Sequence, residues 1–96
     1  MIVKVQSTIQ TFAKWKAMVH DNSAKIKKYN MTFLYAGTEK NDDKKLFAII
    51  KFETMEGMQS FKNDEELHKA RADAGVDLAN SITTPMSDDF LEQFKG

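Results

Sequence analysis

Two stretches, Met31 to Thr38 and Leu46 to Glu53, read as strands with apolar side chains on both faces, and this limits the fold more than any other feature of the chain. Under strict alternation Leu34 and Ala36 share one face while Met31, Phe33 and Tyr35 share the other. In the second stretch Leu46, Ala48, Ile50 and Phe52 oppose Phe47 and Ile49. A sheet covered by helices on one side only would leave Phe33, Tyr35, Phe47 and Ile49 in water. They would form an apolar patch of roughly several hundred Å², which monomers rarely expose. A symmetric partner covering that face would bury on the order of 800 Å² per subunit, so a homodimer with those four residues at its interface is expected. The competing arrangement has the tail, Asp88 to Phe94, form a helical turn or two and lay Phe90, Leu91 and Phe94 over the same face.

The remaining segments complete one α+β domain spanning residues 1–96. Ile2 to Gln6 alternates as a strand, with Val3 and Val5 on one face. Ser7 and Gln10 match a capping box, which predicts a helix from Thr8 to about His20. Asp21, Asn22 and Ser23 are good caps at which that helix should break and restart through Ile26 to Tyr29. Glu39 to Lys45 reads as a polar hairpin loop. Thr54 and Asp64 should cap two further helices, Gly75 supplies a left-handed stop, and Pro85 either confines a weak strand at Ser81 to Met86 to a sheet edge or sits at a strand end. Strand, helix, strand, strand, helix, strand is the order of a ferredoxin-like β-α-β-β-α-β fold, an antiparallel sheet with its helices on one face.

Several function classes are disfavoured. Lys plus Arg and Asp plus Glu balance at 14 each, which removes the field that attracts phosphates and makes nucleic acid an unexpected partner. The longest apolar run, Leu46 to Ile50, is far shorter than the roughly 20 residues that span a bilayer, so no membrane span is expected. The first residues alternate and carry no secretion-signal pattern, which favours the cytoplasm. Cysteine is absent and His20 and His68 are the only histidines, with no metal-binding spacing, so neither a metal nor a cofactor is expected.

The segments Phe12 to Lys16 (FAKWK), Met31 to Gly37 (MTFLYAG), Phe52 to Phe61 (FETMEGMQSF), and Glu66 to Ala70 (ELHKA) running on to Val76 resemble the dimeric α+β barrel proteins. This group includes the antibiotic-biosynthesis-monooxygenase-like domains. The similarity covers nearly the whole chain and is greatest to small stand-alone members with no assigned activity. It implies a homodimeric α+β barrel. It also brings in the activities of the group: cofactor-independent oxygenation, isomerisation, haem degradation, or no catalysis. The haem-degrading members use an Asn on the first strand, and a Trp and a His on the second helix. This chain has Lys4 and Gln6 on that strand, Phe61 for the Trp, and Arg71 at the expected His position with His68 one turn earlier.

Trp15 and Tyr35 are candidates to line a pocket, with Lys51 and Gln6 as polar groups aimed into it, although aromatic residues at such positions are more often core and lysines reach for solvent. His20, beside Asp21, is a candidate general base with Tyr35 and Trp15; its plainer role is a solvated histidine at a helix C-terminus. His68 reads as an exposed helical residue, Met55 and Met58 as core, and Lys25, Lys27 and Lys28 as a solvated helix face. The leading expectation is a homodimeric barrel that binds a small, largely apolar metabolite. A cofactor-independent monooxygenase or isomerase is the alternative, and it needs Tyr35, Trp15 and His20 to converge on one cavity. A non-catalytic structural or regulatory interaction module is the third reading, and it expects a filled interior.

Overall fold

In the computed structural model, which describes residues Met1–Gly96, the elements follow in the order β1 (Ile2–Thr8), α1 (Phe12–Asp21), α2 (Ser23–Lys28), β2 (Met31–Glu39), β3 (Asp42–Phe52), α3 (Met55–Lys62), α4 (Glu65–Asp73) and β4 (Ile82–Met86). A 3-10 turn at Leu78–Asn80 precedes β4. The strands form one antiparallel sheet in the order β2-β3-β1-β4, the ferredoxin-like arrangement expected from the chain. No helix is long and apolar enough to cross a membrane.

Local chemistry sets most of the helix ends. The Thr54 hydroxyl accepts from the Gly57 amide at 2.9 Å, and the Asp64 carboxylate accepts from the Leu67 amide at 2.9 Å, each satisfying a donor that the first helical turn leaves free. Asn22 divides α1 from α2, and Gly75 follows α4 with φ of 90°, a conformation that costs glycine nothing. The first helix differs from expectation. Ser7 and Thr8 pair with Leu46 and Lys45 and prolong β1, the Ser7 hydroxyl meets that of Ser81 at 2.8 Å, and Thr11 caps α1 instead. Ladder pairing with β3 outweighs the local capping signal. The hairpin is also tighter than expected: β2 and β3 pair as far as Glu39 and Asp42, leaving only Lys40 and Asn41 at the turn. Residues 87–96 form no helix, so the tail does not supply the helical cover considered for the second sheet face.

The largest departure lies in β2. Phe33 pairs with Ile50 and Tyr35 with Ile49, so Leu34 is an extra residue, a bulge that breaks the alternation. Met31 and Phe33 face the helices before it, Ala36 faces them after it, and Tyr35 is left on the opposite side. Beneath the helices the apolar side chains form two clusters. One is built on Val3, Met31, Ala48, Ile50, Phe52 and Met58, the other on Ile9, Trp15, Leu46 and Val76, and Phe33 and Ala36 pack against both.

Candidate functional site

Between the helices and the sheet lies a cavity of about 500 Å³, within the range of small-molecule sites. Its walls take Trp15 and Leu46 from one apolar cluster and Val3, Ile50, Phe52 and Met58 from the other. Trp15 is held by a stack on Phe12 and an edge contact with Phe33, each with ring centroids 5.8 Å apart. Phe52 and Phe61 meet at 5.6 Å on the other side. Aromatic pairs of this kind fix ring orientation as well as burying area.

Few polar side chains reach this space. α4 presents Leu67, His68 and Arg71, the three- and four-residue spacings that place side chains on one helix face, and Lys62 joins them from the end of α3. Arg71 is half-buried, makes no side-chain hydrogen bond or ion pair, and desolvation lowers the pKa of its guanidinium. His68 stands 4.0 Å from Glu65 across one helical turn. On the far side, at the β4 edge, Asp88 lies 3.5 Å from the Met1 ammonium. No group of three His, Cys, Asp or Glu side chains is placed to hold a metal.

The candidates read from sequence separate. Trp15 is buried in the cavity wall, while His20 is exposed near the end of α1 and does not line the cavity. Tyr35, Phe47 and Ile49 lie on the opposite face of the sheet with Gln6, which pairs with Phe47; Lys51 is on that face too, 3.7 Å from Glu53. Tyr35 and Gln6 border a shallow groove there, and the Tyr35 and Phe47 rings meet at 6.0 Å. Phe33, grouped with these by alternation, is on the helix side against Trp15. Tyr35, Trp15 and His20 therefore share no cavity. Nor is the interior filled, as the interaction-module reading expects. Sequence reasoning named Arg71 only as the residue at the expected His position of the haem-degrading members and gave it no role in a site, although its position four residues after Leu67 places it on the buried stripe of α4. It took His68 for an ordinary exposed residue.

A second polar cluster joins the helices outside the cavity. Asp64 accepts from the Tyr29 hydroxyl at 2.5 Å and from Lys25 Nζ at 3.0 Å to both carboxylate oxygens, besides capping α4. The Tyr29 hydrogen bond first, then the Leu67 amide and Lys25, hold the Asp64 carboxyl well below the usual carboxylate range. The bond to Asp64 raises both Tyr29 and Lys25. Lys25 is thus tied to α4 and is not part of a free basic face.

No protein-family model matches the chain, and no curated protein matches its sequence. Solved structures do share its fold. A protein from Deinococcus radiodurans, provisionally named an antibiotic biosynthesis monooxygenase, superposes with a TM-score of 0.66 at 9% identity, covering 100% of each chain. A protein of the same provisional name from Nitrosomonas europaea superposes with a TM-score of 0.54 at 11% identity, covering 90% of this chain and 98% of its own. The chain has the antibiotic-biosynthesis-monooxygenase-like α+β fold. At these identities the likeness concerns the fold alone.

Proposed function

We propose that this chain works as a homodimeric α+β barrel protein whose interior cavity binds a small, largely apolar molecule. The cavity carries the reading: about 500 Å³ walled mainly by aliphatic and aromatic side chains, with the charged side chains Lys62, Arg71 and Asp88 and a few neutral polar ones among them. The dimer is supported by the outer sheet face, where Tyr35 and Phe47 are exposed on the adjacent strands β2 and β3, and Ile82 is exposed on β4 beyond Gln6 of β1. Trp15, the only tryptophan, lies in the cavity wall and serves as a built-in reporter. Titration with decan-1-ol, a neutral apolar probe, should give a saturable change in Trp15 emission and raise Tm. Sedimentation equilibrium should return twice the monomer mass. An unchanged emission and Tm would remove the binding reading; a monomer at every concentration would remove the dimer.

The provisional names of the two structural neighbours bring in a second reading, a monooxygenase, beside the cofactor-independent monooxygenase or isomerase that the sequence resemblance implies. His68 at the cavity wall favours it, since an imidazole can give a proton to or take one from a bound molecule. Trp15 would contribute to binding in that case. Tyr35 and His20, placed elsewhere, would take no part.

A further inference from the structure

We infer that the cavity is selective for an amphipathic monocarboxylate, its apolar body held between the helices and the sheet and its carboxylate received by Arg71. The inference rests on the cavity being a binding site and adds the chemistry of its occupant. Arg71 projects from the buried stripe of α4, lines the cavity and is offered no acid by any element packed around it. Asp88 is the only acidic residue on the cavity wall, and it stands at the β4 edge beside the Met1 ammonium. Of the acids in and around the helices, Asp64 is engaged with Lys25 and Tyr29, Glu66 lies 3.6 Å from Lys25 and Glu65 4.0 Å from His68, while Asp21, Glu56 and Asp73 do not line the cavity.

A guanidinium keeps its charge at any ordinary pH, so it cannot relieve desolvation by losing a proton as a lysine can. Desolvation is the only influence acting on the titration of Arg71, and it opposes the charge. An uncompensated cation beside apolar surface is costly, and a carboxylate meets it with two parallel, charge-assisted hydrogen bonds. Lys62 and His68 join it from the ends of the same helix pair, so the basic side chains of the cavity come from α3 and α4, while the Met1 ammonium on the far side is paired with Asp88. A head-and-tail ligand fits that distribution. The competing physical account is that the arginine stem covers apolar surface while its head stays wetted, which predicts no preference for anions.

The experiment compares decanoate with decan-1-ol, which share a chain and differ in charge, by Trp15 emission at neutral pH below the micellar range. Wild type should bind decanoate at least about tenfold more tightly, the scale of one charge-assisted hydrogen-bonded pair. Arg71→Met, with its fold checked by circular dichroism and by retained decan-1-ol binding, should lose that preference, and Arg71→Lys should keep part of it. Equal affinities in wild type, or a preference that survives in Arg71→Met, overturns the carboxylate inference and leaves the apolar site standing. Failure of both probes to bind overturns the site itself and the inference with it.

Discussion

The two faces of the sheet use the same four strands to different ends. On the helix side, the residues of β3 that point inward, Leu46, Ala48, Ile50 and Phe52, are all buried, yet the helices stand far enough off to leave a cavity. On the other side Phe47 and Tyr35 meet in the open, with Gln6 and Ile82 beside them and no helix above. The inner face therefore borders a hollow of about 500 Å³, and the outer face leaves apolar side chains uncovered by this chain. Apolar content alone does not distinguish these roles. What distinguishes them is whether the helices of this chain cover the face.

Paired substitutions on β3 test that contrast most strongly. Phe52 is 1% exposed, and Phe52→Ala should cost about 3–5 kcal/mol in urea unfolding through lost burial and the void left behind. If the loss were as small as that of an outer-face residue, the inner face would not be the stabilising one. Next in size is Gly57→Ala. In an ordinary helix this change gains about 1 kcal/mol, but here a Cβ would run into the backbone carbonyl of Tyr29, which cannot move aside. The sign should reverse to a loss of about 1–3 kcal/mol, read by the same unfolding curves.

Phe47→Lys probes the outer face: monomer stability should stay within about 1 kcal/mol of wild type while self-association weakens at least tenfold, about 1.4 kcal/mol, by sedimentation. An unchanged association constant would place the partner surface elsewhere. The Asp64 cluster gives a subtler, pH-dependent effect. Its carboxyl is depressed in the folded chain, so its contribution is fully present above the unfolded carboxylate value of about 4 and fades as pH falls toward the folded one. Asp64→Asn, which keeps a capping side chain, should flatten the acid limb of the Tm profile; a parallel shift at all pH values would contradict this. Smallest of all, Lys51→Ala should leave decan-1-ol affinity within about twofold, because Lys51 sits on the face away from the cavity.

Where local chemistry decides the structure, the chain could be read directly. Thr54 and Asp64 cap as expected, Gly75 turns left-handed, and Pro85 lies in the edge strand β4. Where distant segments compete, it could not. The capping pattern at Ser7 is sound by itself and loses to pairing with Leu46, far along the chain. The bulge at Leu34 has no local mark, since each residue around it suits a strand, and it is detectable only against the register of β3. Arg71 was hidden in a different way. An arginine on a short polar helix looks solvated until the sheet beneath that helix is in place.

The bulge also bears on why there is room inside at all. Had β2 alternated without interruption from Met31 and Phe33, the next inward side chain would be the phenol of Tyr35; with one residue added, it is the methyl of Ala36. The hollow thus depends on how many residues a strand contains as much as on the size of any one of them. Relatives of this fold could gain or lose such an interior by an insertion or deletion of length one.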